Sequence, residues 1–218
     1  MEKLVKKFLS EEEKKRVIEA VKEVEKTTSG EIVPMIVGSS YHYPLADMIG
    51  ALILGALTAV VATLVVSMRK SWAGFSIYDL WLFPAVFAVA FVVFHEIVKR
   101  IPWLKRFFIS KEEMLEEVEE KALTSFYSHG LGNTRDRTGV LIFISVFERL
   151  AYVLADKGIN EKVDSGVWQE VVDIIIKHIK SGKQAEGIVK AVKRCGELLR
   201  DNFPIKPDDT DELENLIM

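Results

Sequence analysis

The sequence places mixed charges in a short loop, residues 133–138, which reads NTRDRT. An arginine can clamp an anion such as phosphate through paired N–H donors. A carboxylate can bind a divalent cation or move a proton. We therefore take Arg135, Asp136, Arg137 and the later Asp156 as candidate catalytic residues, and Asp136 and Asp156 also as candidate metal ligands.

A candidate ligand-binding set follows from the strands that we expect around this loop. Residues 31–37 and 139–145 are apolar runs typical of strands, and 150–154 reads as a third. We expect the first two strands to be parallel and the third to be antiparallel to the second. One edge of the sheet then contains the 133–138 loop, the start of the first strand and the end of the third. This edge gathers Thr28, Glu31 and Arg137, with Asp164 in the following loop, as the predicted ligand-binding residues.

The opposite edge of the sheet is a second candidate site. It gathers Gly38 and the polar residues Ser39, Ser40, Ser145, Glu148 and Arg149. Ligands of open α/β sheets usually bind beyond the carboxyl ends of the parallel strands, which is this edge. Here, however, the chain enters a long apolar segment a few residues later, so we favour the first edge. At both edges the alternative role for each charged residue is a solvated loop position or a helix cap.

Other chemical signatures are missing from the sequence. The four histidines form no pair at metal-ligand spacing, and there is no phosphate-binding P-loop or GxSxG nucleophile motif. A net charge of −3 without a basic, aromatic face indicates no nucleic-acid partner. Cys195 lies on the apolar stripe of a predicted helix, where a packed thiol is the expected role.

Two long apolar segments interrupt this charged chain. Residues 48–68 contain no charged side chain, and residues 78–98 are polar only near their ends. A helix of about 20 residues crosses a hydrocarbon core of about 30 Å. We predict a transmembrane hairpin at 44–98, with spans at about 46–68 and 78–98. The hairpin separates two halves of one soluble domain, at 1–40 and 105–205. An acidic tail at 206–218 follows the second half.

Basic residues near the span ends predict the orientation. Arg69 and Lys70 lie between the spans, whereas five basic residues follow the second one: Lys99, Arg100, Lys105, Arg106 and Lys111. Because basic residues favour the cytoplasmic side, this predicts a cell-membrane protein with both termini in the cytoplasm.

The flanking segments predict a single domain. A capping box at residues 10–13 opens one helix, and residues 110–113 open another, whose apolar stripe is Leu115, Val118, Ala122 and Phe126. Pro34 indicates that the first strand lies at an edge or contains a bulge. A lone strand cannot stand alone, so the two halves must share one sheet. The predicted fold is an α/β three-layer sandwich, a small mixed sheet flanked by helices and interrupted by the hairpin.

Several segments in order resemble the TPM domain family. They are TTSGEIVPMIV, RTGVLIFISVFERLAYVLADKGI, the W-x-x-V-V-x-x-I run from Trp168, and CGELL before Phe203-Pro204. The resemblance looks closest to a bacterial membrane branch with a two-helix insertion, and it implies a compact α/β sandwich. Some members are described as phosphatases or calcium binders, and others as assembly or repair factors. The cofactor is unknown from the residues, and a divalent cation such as calcium is what the resemblance allows. The loop NTRDRTG is more basic than a calcium pocket favours.

Two functional hypotheses follow. The first is a membrane-anchored adaptor, or an assembly or repair factor, with the lipid bilayer and a membrane protein as partners and a possible homo-oligomer. The alternative is a metal-dependent or acid phosphatase-like hydrolase, in which an arginine holds phosphate and a carboxylate binds a metal or moves a proton.

Overall fold

The computed structural model describes residues 2–69, 77–164, 166–206 and 213–218. Lys70 between the predicted spans and residues 207–212 of the predicted acidic tail lie outside this range. The helices are α1 Glu2–Phe8, α2 Glu11–Glu25, α3 Pro44–Arg69, α4 Ile77–Arg100, α5 Pro102–Phe107, α6 Lys111–Ser128, α7 Lys157–Asn160, α8 Gly166–Lys180 and α9 Gln184–Asn202. The strands are β1 Glu31–Val37, β2 Gly139–Ser145 and β3 Leu150–Ala155, and a 3₁₀ turn spans Leu131–Asn133.

The chain divides into two compact units. The first consists of Met1–Tyr41 with Met114–Met218, and the second is the intervening His42–Glu113. The first unit contains the whole sheet, with its strands in the order β1-β2-β3. Segments from both sides of the apolar insertion therefore complete one fold, as predicted.

The sheet is mixed. β1 pairs in parallel with β2, from Glu31 opposite Gly139 to Val37 opposite Ser145. β3 runs antiparallel to β2 and joins it through a tight turn after Ser145. β2 is buried along its whole length, which explains its unbroken apolar sequence, since a central strand covered on both faces has no solvent side.

β1 is an edge strand, as Pro34 indicated. Its outward N–H groups are satisfied from outside the sheet: Ile32 donates to the Glu25 carboxylate at 3.2 Å, and Ile36 donates to the Ile217 carbonyl at 2.9 Å. Pro34 has no N–H to satisfy, so an edge position suits it.

Helices cover both faces of the sheet and form two hydrophobic cores. One core packs α2, α8 and α9 against Ile32, Ile36 and Ile142. The other packs α6 against Val33, Leu141 and Phe143. This is the predicted three-layer sandwich.

The helix caps agree with the sequence, whereas one helix face does not. Both halves of the capping box between Ser10 and Glu13 are present, and the Ser110 hydroxyl accepts from the Glu113 N–H at 3.0 Å. On α6, however, Leu115 is 55% exposed and Met114 is buried in its place. The prediction of Leu115 as a core residue was wrong, because the stripe of α6 begins one residue earlier.

The second unit contains two long apolar helices, α3 and α4. They are long and apolar enough to cross a membrane, and only 22% and 11% of their most apolar windows are buried. They pack closely at Gly55, where an added Cβ would lie 3.2 Å from the backbone nitrogen of Phe91. The short helix α5 is tied to α3 by a buried ion pair, with the Lys105 ammonium 2.9 Å from the Asp47 carboxylate.

Candidate functional site

A cleft of about 390 Å³ lies in the first unit, at the edge of the sheet where β1 and β2 begin. This is the edge that the sequence favoured. The lining comes from four separate parts of the chain and consists of Ser29, Asp136, Thr138, Lys162, Asn202, Phe203, Pro204, Ile205 and Lys206.

The parallel pairing of β1 and β2 forms the inner wall. Because the two strands start side by side, the Thr138 hydroxyl reaches the Ser29 carbonyl and donates to it at 2.9 Å. The Glu31 N–H donates to the Thr138 carbonyl at 3.1 Å. These bonds hold the two loops together before the sheet begins.

The segment after α9 forms the outer wall, and two hydroxyls fix it. Thr28 donates to the Phe203 carbonyl at 2.7 Å, and Ser29 donates to the Pro204 carbonyl at 2.9 Å. Pro204 cannot continue α9, so the chain turns here and runs past the loop before β1. The hydroxyls at this edge therefore serve to position the walls.

The charges of the cleft are two ammonium groups and one carboxylate. Lys206 lies 2.7 Å from the Asp136 carboxylate, and the Lys162 ammonium lies 4.4 Å from the centre of the Phe203 ring. A cation over an aromatic face is stabilised by the ring quadrupole. The excess positive charge suits a small anion, held by Lys162 and Lys206.

Arg137 and Asp156 form a second, adjacent arrangement. Arg137 donates to the Gly132 carbonyl at 2.5 Å, and its guanidinium lies 4.0 Å from the Asp156 carboxylate. The other Asp156 oxygen accepts from the Lys157 N–H at 2.6 Å and caps α7. Arg137 has a left-handed backbone with φ of 57°. Both residues thus join the loop before β2 to the chain after β3.

The structure does not bring the remaining predicted residues into the cleft. Thr28 and Glu31 are buried beside it, and Arg135 is exposed. Asp164 accepts from the Gly166 N–H at 2.8 Å and starts α8. Of the predicted catalytic and ligand-binding residues, Asp136 is the one that appears in the cleft lining.

Sequence reasoning missed the residues that α7, α9 and their following segments contribute. Lys162, Asn202, Phe203 and Lys206 line the cleft although they lie far from residues 133–138 in the chain. The Phe-Pro dipeptide after α9 was the available signal, because it marks where the last helix must end and the chain must turn.

Each of the two predicted metal ligands contacts a basic side chain. Asp136 contacts Lys206 and Asp156 contacts Arg137, so each carboxylate has a cation of its own. Among the residues that the structure describes, no group of three His, Cys, Asp or Glu side chains is placed to hold a metal ion.

A buried carboxylate occupies the opposite edge of the sheet. Glu148 is fully buried and accepts from the Ser39 hydroxyl at 3.1 Å and from the Ser40 N–H at 2.9 Å. It also accepts from the Ser145 hydroxyl. Glu148 thus ties the segment after β1 to the turn after β2, at the edge where ligands of open sheets usually bind.

The family model for the TPM domain matches residues 107–198, which include β2, β3, the turn with Glu148 and most of α9. These residues are thus similar to a TPM domain. The NMR structure of BA42 protein from the psychrophilic bacterium Bizionia argentinensis is similar, with a TM-score of 0.57, 23% identity, and coverage of 98% of this chain and 96% of that chain. At this identity the likeness shows a shared fold. No curated protein matches the chain.

Proposed function

We propose that this chain is a membrane-anchored TPM domain protein, whose first unit acts as an adaptor or assembly factor for a membrane protein complex. The observation that carries the anchoring is the exposed apolar surface of α3 and α4. Large apolar side chains that are at least 39% exposed on these helices are Leu45, Met48, Ile49, Leu52, Ile53, Leu57, Val60, Val61, Leu64, Val65, Met68, Trp81, Phe83, Val89, Val92 and Val93.

Hydrocarbon is the environment that this surface fits. Apolar surface costs about 25 cal/mol per Å² when it is left in water, and soluble monomers rarely expose a continuous patch of more than a few hundred Å². A core helix of a soluble protein would be mostly buried, unlike these two. The pairing of β1 with β2 supports an even number of crossings, since both strands must be on the same side to share a sheet.

The chemistry of the cleft supports a binding role. The Ser29 and Thr138 hydroxyls donate to backbone carbonyls, and the Asp136 carboxylate holds Lys206. A nucleophile needs an adjacent base, and these groups instead hold the cleft walls. Walls that are fixed in this way provide a preformed surface for binding a partner.

Matched lysine substitutions test the anchoring. Val61 on α3 is 59% exposed and Leu115 on α6 is 55% exposed, so each changes little inside the protein. Val61→Lys should reduce membrane insertion, because a lysine near the centre of a span costs about 2.5 to 3.5 kcal/mol. Leu115→Lys should leave the membrane-bound fraction unchanged. Equal membrane fractions for the two variants would contradict the anchoring.

Crosslinking in intact membranes tests the adaptor role. We expect a larger membrane protein to crosslink to the first unit and to copurify with it in detergent. A survey that recovers only the chain itself would count against an adaptor and leave the anchoring to be judged by the lysine variants.

One observation favours phosphatase-like hydrolysis as a second candidate. Lys162 and Lys206 supply two cations to one cleft beside Asp136, an arrangement suited to a phosphate group. Hydrolysis of phosphate esters, with and without divalent ions, should then be lost in Asp136→Asn and Lys206→Met and kept in Lys15→Met, which changes an exposed lysine of α2. Activity that is absent in the unmodified protein, or equal in all four proteins, would dispose of this candidate.

A further inference from the structure

The outer edge of β1 is occupied by a distant part of the same chain. Ile217 forms a parallel bridge with Met35. The Ile36 N–H donates to the Ile217 carbonyl at 2.9 Å, and the Ile217 N–H donates to the Pro34 carbonyl at 3.0 Å. The segment Leu213–Met218 thus extends the sheet beyond its edge strand, although it is too short to form a strand of its own.

Side chains of this segment reach both hydrophobic cores. Leu216 packs against the core that contains α2, α8 and α9. Leu213 and Ile217 pack against the core that contains α6. Since consecutive side chains of an extended segment point to opposite faces, an occupant of this edge needs aliphatic side chains at two adjacent positions.

The edge also restricts the backbone of its occupant. In this stretch of β1, Ile36 supplies a donor and Pro34 supplies an acceptor but no N–H. Further along, the Ile32 N–H is already taken by Glu25. One residue of the occupant must therefore both donate to Pro34 and accept from Ile36, which fixes its register.

We propose that the outer edge of β1 at residues 34–36 is a binding site for an extended segment of a partner protein, and that Leu213–Met218 is its replaceable internal occupant. Strand addition to a free sheet edge is a common mode of peptide recognition. This proposal rests on the proposed adaptor function. It specifies the partner segment as an extended stretch that has two adjacent aliphatic residues and runs parallel to β1.

Exchange is favoured by the small size of the internal contact. Among the described residues, two backbone hydrogen bonds join the segment to β1, and Leu213, Leu216 and Ile217 are each only half-buried. Short edge contacts of this kind open at a small fraction of the cost of global unfolding. A partner segment then competes for the same donors, acceptors and core positions.

A labelled peptide with the sequence of residues 211–218, DELENLIM, tests the site on the full chain purified in detergent. Ile217→Pro removes the N–H that donates to Pro34 and should free the edge. We expect the peptide to bind this variant at least tenfold more tightly than the unmodified chain. Met218→Pro, at an exposed position without a bond to β1, should bind like the unmodified chain.

Equal binding to all three proteins, or no binding, would overturn the proposal, provided that the Ile217→Pro variant remains folded. If that variant fails to fold, amide exchange in the unmodified chain decides. Excess peptide should then alter the hydrogen exchange rate of the Ile36 amide and leave the rates of the β2 amides unchanged. No effect on the Ile36 amide would overturn the site.

The oligomeric state tests whether a second copy occupies the edge. If the unmodified chain is dimeric and the Ile217→Pro variant is monomeric, the edge binds a second copy, and the assignment to a partner protein is overturned. Peptide binding is measured without a membrane partner, so its result is separate from the crosslinking survey.

Discussion

Cys195, the single cysteine of the chain, is a core residue on α9. Burial raises the pKa of its thiol to about 12. The reactive thiolate is therefore suppressed in the folded protein, and no disulfide within the chain is possible. Its role is packing between helices, as its place on an apolar stripe predicted.

Thiol labelling provides a prediction at this residue. A maleimide reagent at pH 7 to 8 should leave Cys195 unmodified in the native protein and modify it after unfolding. The raised pKa also means that deprotonation favours the unfolded chain, so Cys195 lowers stability as pH rises above about 8.5. Rapid labelling of the native protein, at the rate of a free thiol, would contradict this packing.

The ion pair between Asp47 and Lys105 gives a second prediction at the residue scale. Both side chains are about nine-tenths buried, and Lys105 also donates to the His42 carbonyl at 2.5 Å. Asp47→Asn or Lys105→Met alone leaves one buried charge without its counterion, which costs about 3 to 5 kcal/mol. The double variant should recover much of this loss.

Thermal unfolding in detergent measures this difference. If the double variant loses, relative to the unmodified protein, the sum of the stabilities that the two single variants lose, the two charges do not interact. Arg194→Met, which removes a partly exposed ion pair between α8 and α9, is the control and should lose no more than about 1 kcal/mol.

The start of α2 makes a prediction at the scale of an element. Hydrogen bonds from the Ser10 N–H and hydroxyl lower the pKa of Glu13. A lowered pKa gives stability that is present above the unfolded pKa and is lost as pH falls through the folded pKa. Ser10→Ala should lower the free energy of unfolding by about 1 kcal/mol.

Denaturant unfolding at pH 7 and pH 3 checks this cap. Glu12→Gln removes a charge from the same helical turn without breaking the cap, so its loss at pH 7 should be smaller. Equal losses in the two variants would indicate a general charge effect at the N-terminus of α2, with no contribution from the capping box.

Local patterns predicted the elements whose signals lie within a few residues. Pro34 predicted an edge position or a bulge for β1, because a proline cannot donate within a ladder, and β1 is the edge strand. The capping serines placed the starts of α2 and α6. The short α5 was not predicted, and neither was the burial of Met114 on α6, whereas Val118, Ala122 and Phe126 are buried as predicted. Whether Met114 or Leu115 faces the core depends on the rotation of α6 against the sheet, which only tertiary packing decides.

The site required contacts that no local pattern contains. The 133–138 loop and the start of β1 could be placed together in advance, because parallel strands bring their starting ends together. Lys206 belongs to the cleft because Thr28 and Ser29 hold the segment after α9 beside the loop before β1. Lys162, which follows α7, belongs to it because its ammonium lies over the ring of Phe203 in that segment. The placement of Ile217 on the edge of β1 was hidden for the same reason, since its partner lies at the other end of the chain.

At the scale of the whole molecule, we propose that α3 and α4 cross a bilayer while the flanking segments complete one α/β domain on a single side. The shared sheet requires that residues before and after the insertion lie together. A soluble protein would have no environment for the exposed apolar residues of α3 and α4.

Cysteine accessibility in sealed membrane vesicles tests this claim most directly. Cys195 is buried, so it should add no background to new cysteines at the exposed positions Glu12, Arg69 and Glu120. An impermeant maleimide should label Glu12→Cys and Glu120→Cys from one side of the membrane and Arg69→Cys from the other. Labelling of Glu12→Cys and Glu120→Cys from opposite sides, or recovery of all three variants as water-soluble protein, would contradict the account.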